Sequence, residues 1–86
     1  MSTRKKSAEP GPLELFGLAV RAERKARGFS QESFADHVGL DRSYMGGVER
    51  GERNLALLNI MRILGGLEMQ PSDFFRYLDA APVENS

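Results

Sequence analysis

The stretch SQESFADHVGLDRSYMGGVERG, Ser30 to Gly51, constrains the fold more than any other part of the chain. Ser30 is a good N-cap for a short helix, Gln31 to His37 or Val38, in which Phe34, Ala35 and Val38 share one face. Gly39 ends that helix, and Asp41 caps another from Arg42 to about Arg50, which Gly51 stops. The turn glycine stands at the ninth position of the unit that starts at Gln31. Ala35 supplies the small residue where the two helices cross, and Met45 and Val48 close the core beneath. This is a helix-turn-helix pattern.

The flanking segments are also helical. Leu13, Phe16, Ala19 and Val20 recur at three- and four-residue spacing, and Arg21, Arg24, Lys25 and Arg27 gather before Gly28, which predicts a helix from Leu13 to about Arg27. A fourth helix is expected from about Leu57 to Leu64, stopped by Gly65-Gly66. A fifth begins at Pro71, with Asp73 in its first turn and Phe74, Phe75 and Leu78 behind. Nothing alternates at period two, so no sheet is expected. The fold class is therefore all-α, a compact five-helix domain over residues 13–79. Residues 1–12 read as a flexible basic arm carrying Arg4, Lys5 and Lys6, and residues 80–86 as a frayed tail.

Composition narrows the function. At 86 residues there is room for one small domain, and no spacing assembles a base, a nucleophile and an orienting group, so an enzyme is not expected. There are no cysteines and a single histidine, His37, which leaves no metal set and predicts no cofactor; His37 reads as an exposed helix residue. The absence of cysteine suits a reducing cytoplasm, and neither a membrane-length apolar run nor the apolar core of a signal peptide is present. Twelve Lys and Arg balance twelve Asp and Glu, but through Arg53 there are ten basic and eight acidic residues, and afterwards two and four. A mildly basic front precedes an acidic, apolar back.

Two adjacent glycines inside the third helix call for a reason, since each costs a helix interior about 1 kcal/mol relative to alanine. At about 100° per residue, Met45 and Val48 point to the core while Ser43, Gly46, Gly47 and Arg50 point away, with Arg42 and Tyr44 at the flanks. A helix lying in the DNA major groove needs such a face: long donors at its N-terminal end and bare positions where groove or phosphate comes close. Tight helix–helix packing is the competing explanation for the glycines.

The residues SQESFADHVGL, with Ala35, Gly39, Leu40, Met45 and Val48, followed by ERGERN, resemble the Cro/cI (XRE-type) helix-turn-helix regulators, a lambda repressor-like fold. The resemblance covers roughly Phe16 to Phe75. Within that family, LDRSYMGGVERGERNLAL looks most like the controller proteins of restriction-modification systems, and SQESFADHVG and STRKK overlap with phage repressors. The resemblance implies that Gln31 bonds a phosphate, that Arg42 and Ser43 reach base edges, and that Tyr44 touches a phosphate or a thymine methyl. It further implies that Arg50, Arg53 and Asn54 follow in a DNA-contacting loop, and that Arg24 and Glu49 form an internal ion pair joining the first and third helices. Three positions depart from the family pattern: Ser33 stands where an acidic residue usually completes a capping box, predicting a second helix that frays more readily; Glu23 replaces an apolar residue; Ala56 replaces a capping Ser or Thr.

The fourth helix is apolar over an arc of about 220°, more than a surface helix needs. One side faces the core; the other is expected to meet a second copy, with Leu58, Met61, Ile63, Leu67, Met69, Phe74 and Phe75 as the interface, the alternative being that the fifth helix covers everything. A homodimer would place two recognition helices ~34 Å apart on a near-palindromic double-stranded operator. By resemblance, a controller protein acts upstream of its own gene and an endonuclease gene, activating at low dose and repressing at high dose, with RNA polymerase as a further partner. A phage-type or chromosomal repressor and an antitoxin-like protein-interaction module are the alternatives.

Overall fold

Caps and prolines set where the helices begin. In the structure, a computed structural model that describes residues 10–80, five helices follow one another: α1 (Pro12–Ala26), α2 (Gln31–Val38), α3 (Arg42–Glu49), α4 (Leu57–Leu67) and α5 (Pro71–Ala80). No strand occurs among the described residues. Pro12 stands at the first helical position of α1, as Pro71 does in α5. Most of the basic arm and of the tail lies outside the described residues.

At α2 the sequence expectation needs correction. The Ser30 hydroxyl accepts from the Ser33 amide at 2.9 Å, and the Ser33 hydroxyl accepts from the Ser30 amide at 2.9 Å, so the reciprocal cap is complete without an acidic residue. Gly39 then takes the left-handed conformation, φ 74°, that the turn into α3 requires. Ala56 provides no side-chain cap for α4. Glu23 pairs with Arg27 one turn on, at 2.6 Å, rather than joining the core.

A second correction concerns the end of α4. The helix runs through Gly65-Gly66 to Leu67 and ends at Glu68, φ 59°, instead of stopping at Leu64. Gly66 is there for packing: a Cβ would overlap Cγ1 of Val38 in α2, while one on Gly65 would meet open space. Carrying the helix one turn further buries Leu67 completely, and Arg27 Nε donates to its carbonyl at 2.8 Å.

The core draws on every helix: Phe16, Ala19 and Val20 of α1, Phe34 and Ala35 of α2, Met45 and Val48 of α3, Ile63, Leu64 and Leu67 of α4, and Phe74 of α5. Phe16 and Phe74 meet edge to face with centroids 5.3 Å apart. Gly17 brings α1 against the end of α3 so closely that a Cβ would overlap the Val48 and Glu49 carbonyls.

Ile63, Leu67 and Phe74 were expected at a subunit interface and are fully buried within the single chain, so that assignment is corrected. An all-apolar helix does not disclose from its sequence which side its own core takes. Met69 is half-buried against the core.

Candidate nucleic-acid interface

The helix that would enter a groove is first held from behind. Arg24 of α1 donates from Nε to Glu49 Oε2 at 2.7 Å and from Nη2 to Oε1 at 3.0 Å, a forked pair whose partners are each 7% exposed. Its third nitrogen donates to the Phe29 carbonyl at 2.8 Å. Gln31, at the start of α2, donates from Nε2 to Glu49 Oε1 at 3.0 Å. One buried carboxylate thus ties together α1, α2 and α3. The expected phosphate ligand Gln31 is half-buried and spends its side-chain donor on this network, which leaves its backbone amide at the open N-terminus of α2.

The N-terminus of α3 is fixed by Asp41. Its Oδ2 accepts from the Ser43 amide at 3.0 Å, from the Tyr44 amide at 3.4 Å and from the Ser43 hydroxyl. These bonds, the Ser43 hydroxyl first and then the two amides, hold the Asp41 carboxyl below its usual range, with the Arg42 charge adding to the effect. Ser43 is therefore an exposed capping partner that donates its hydroxyl to Asp41. Arg42 is exposed, and among the described residues no hydrogen bond or ion pair reaches its guanidinium.

Gly46 and Gly47 do lie on the face opposite Met45, but they are not bare. Both are buried. A Cβ on Gly46 would come 3.1 Å from Arg50 Nη1 and 3.2 Å from Gln31 Oε1. One on Gly47 would come 3.0 Å from Arg53 Cγ and 3.1 Å from Arg53 Nε. Long polar side chains from before and after α3 cross the helix over its two glycines, which corrects the picture of an open backbone surface. Arg53 continues across the Tyr44 ring, its guanidinium carbon 5.5 Å from the centroid, and the Tyr44 hydroxyl accepts from Asn59 Nδ2 at 3.1 Å. Arg50 is exposed and pairs with Glu52 at 3.1 Å.

The structure thus gathers Gln31, Arg42, Ser43, Tyr44, Arg50 and Arg53 around one side of α3. Asn54 is placed elsewhere: it lines a groove of about 390 Å³ with Leu13, Phe16, Phe75 and Leu78. Several large apolar side chains are also exposed. Of the interface residues expected from sequence, Leu58, Met61 and Phe75 are 65%, 44% and 41% exposed, and Leu57 and Leu18, which sequence reasoning did not select, are exposed as well. Leu57 belonged to the same apolar run, so the signal was present; Leu18 gave none. Among the described residues no helix is long and apolar enough to cross a membrane, and no cluster of ligating side chains could hold a metal ion.

A short capped helix, a left-handed glycine turn and a second helix presenting cations away from the core define a helix-turn-helix protein, and the Helix-turn-helix family model matches residues 20–74. The control protein C.MunI of Mycoplasma sp is 41% identical over 61 residues, which is 70% of this chain and 82% of that one. The solved structure of the restriction-modification controller protein C.AhdI from Aeromonas hydrophila is 49% identical with a TM-score of 0.70, over 73% of this chain and 96% of that one. A further match, at 34% identity and TM-score 0.74 over 81% and 92% of the two chains, is the controller protein C.Esp1396I, solved as a tetramer with its natural 35 base-pair operator. The chain belongs to the restriction-modification controller proteins of the helix-turn-helix family.

Proposed function

We propose that the protein is a sequence-specific transcriptional regulator that binds a near-palindromic double-stranded operator as a homodimer. Its operator lies upstream of its own gene and that of a restriction endonuclease. The observation that carries the reading is α3: locked from behind by the Arg24–Glu49 pair, it offers Arg42 and Ser43 at its first turn, with Arg50 and Arg53 on the same side. Arg42 reads a base edge, bidentate to guanine for choice; Ser43 and Tyr44 add base or methyl contacts; Arg50 and the backbone amide of Gln31 hold phosphates. Arg53 reaches a base or phosphate from its position over Tyr44.

Dimerisation uses the exposed apolar surface of Leu57, Leu58, Met61 and Phe75. Two copies joined this way present two recognition helices to successive major-groove turns. Regulation follows from occupancy in the cytoplasm, with no catalysis and no cofactor: activation at low dose through contact with RNA polymerase, repression at high dose by excluding it.

The test is selection of the protein's preferred site from random duplexes, then titration of the winner and of unrelated DNA at two salt concentrations. A palindromic consensus bound roughly 10³-fold tighter than unrelated DNA, and lost on Arg42→Ala, is expected. Weak, steeply salt-dependent binding without a consensus would overturn the reading.

A further inference from the structure

The sequence leaves the purpose of Gly47 open between close approach of DNA and close packing of helices, and the structure offers a third answer. The three atoms nearest a Cβ built on Gly47 are Cγ, Nε and Cδ of one residue, Arg53, at 3.0, 3.1 and 3.5 Å. The helix backbone at this point is a slot filled by the stem of that arginine. Just beyond it the guanidinium lies over the Tyr44 ring, 5.5 Å from the centroid. Tyr44 is itself held by the Asn59 amide at 3.1 Å. Arg53 is therefore laid along α3 between a missing side chain and an aromatic face, although it stands after the helix in the loop that follows Gly51.

We infer that Gly47 is a positioning residue for Arg53: its absent Cβ seats the arginine stem so that the guanidinium is delivered, already ordered, to the DNA-facing side of α3, and operator discrimination depends on that seat. The inference rests on the proposal that α3 is the recognition helix. A Cβ at position 47 meets the arginine stem at 3.0 Å from Cγ and 3.1 Å from Nε, closer than ordinary contact, so the stem must give by a few tenths of an ångström and the guanidinium shifts on the Tyr44 ring. An arginine displaced in this way still attracts phosphate but must be brought back into place at each specific encounter. Discrimination falls while non-specific binding stays.

The experiment is a double-mutant cycle on the full-length protein with the selected operator and an unrelated duplex of equal length, comparing wild type, Gly47→Ala, Arg53→Ala and the double variant, with thermal melts of all four. Arg53→Ala is expected to lower the specific-to-non-specific ratio by roughly 5- to 100-fold. Gly47→Ala is expected to lower it about 3-fold or more, the size of an exposed cation–π contact, without lowering Tm, because alanine favours helix. In the double variant the Gly47→Ala effect should vanish, leaving the ratio of Arg53→Ala alone. If Gly47→Ala costs the same factor with Arg53 absent, the glycine serves direct approach of DNA and the inference fails. It fails equally if Gly47→Ala leaves the ratio unchanged or acts only by lowering Tm. Failure of the underlying reading looks different: the wild type would then prefer no sequence at all.

Discussion

Removing Glu49 tests whether the buried ion pair sets the position of α3. In Glu49→Ala the Arg24 guanidinium keeps its bond to the Phe29 carbonyl but loses both carboxylate contacts, at 2.7 and 3.0 Å, in a site where it is 7% exposed. Gln31 loses its acceptor at the same time. Stranding one member of such a pair costs about 3 to 5 kcal/mol. A chain of this length has a total stability of about 4 to 13 kcal/mol, so the variant should fall at least about 12 °C in Tm, taking about 4 to 8 °C per kcal/mol. Urea unfolding followed by circular dichroism at fixed pH measures the loss. The pair Arg24→Met with Glu49→Leu removes both charges and should recover most of it, because an apolar replacement of similar volume leaves nothing stranded. A loss below about 1 kcal/mol in Glu49→Ala, in the range of surface ion pairs, would refute the claim that this carboxylate is the fixed point of three helices.

The adjacent glycines of α4 should respond in opposite directions: Gly65→Ala gains up to about 1 kcal/mol from helix propensity, while Gly66→Ala loses about 1 to 3 kcal/mol by overpacking against Val38, and urea midpoints of the two variants settle it. Leu58→Lys combined with Met61→Glu should yield a monomer in sedimentation equilibrium with an unchanged helical spectrum, since both side chains lie outside the core; an intact dimer would place the interface elsewhere. Asp41 has a folded-state pKa below its ordinary 3.8, so its contribution to stability is present above that value and is lost as pH falls through the lower, folded one. Asp41→Asn keeps a capping oxygen but cannot titrate there, and its unfolding midpoint should decline less steeply below about pH 4 than that of the wild type.

Local chemistry made the helix starts readable. Ser30, Asp41 and Pro71 each satisfy or remove orphan backbone donors within a few residues of themselves, and the turn at Gly39 needs a left-handed residue at that point. What the sequence hides is set by residues distant along the chain. Gly65-Gly66 reads as a stop because a glycine's local role and its packing role look alike in sequence, and only the position of Val38 on another helix separates them. Ile63 and Met61 are similar in hydrophobicity and two residues apart, yet one is fully buried and the other 44% exposed, a difference set by which side of α4 the other helices cover. At the candidate site the cations were readable from spacing after Asp41, but the covering of Gly46 and Gly47 was not. It depends on Gln31 in the preceding helix and Arg53 in the following loop converging on the same face. The Arg24–Glu49 pair spans 25 positions and came from family resemblance rather than from any periodicity.

The neutral overall charge bears on how such a site can be selective. With twelve basic and twelve acidic residues, the whole molecule supplies little long-range attraction to a polyanion. The cations at α3 are interleaved with carboxylates, Asp41 next to Arg42 and Glu52 paired to Arg50 at 3.1 Å. Non-specific binding, which rests on phosphate contacts and counterion release, is therefore expected to be weak in a salt titration with unrelated DNA. A small protein in that position gains its preference from contacts already in place when the groove arrives, because each side chain that must first be ordered subtracts from a small total. The fork of Arg24 on Glu49, the cap of Asp41 on Ser43 and the bed of Gly47 and Tyr44 beneath Arg53 all act in that direction. Each fixes a group before DNA is met. On the proposed reading, contacts ordered in advance at α3, more than positive charge, let a chain with no net charge distinguish one sequence from another.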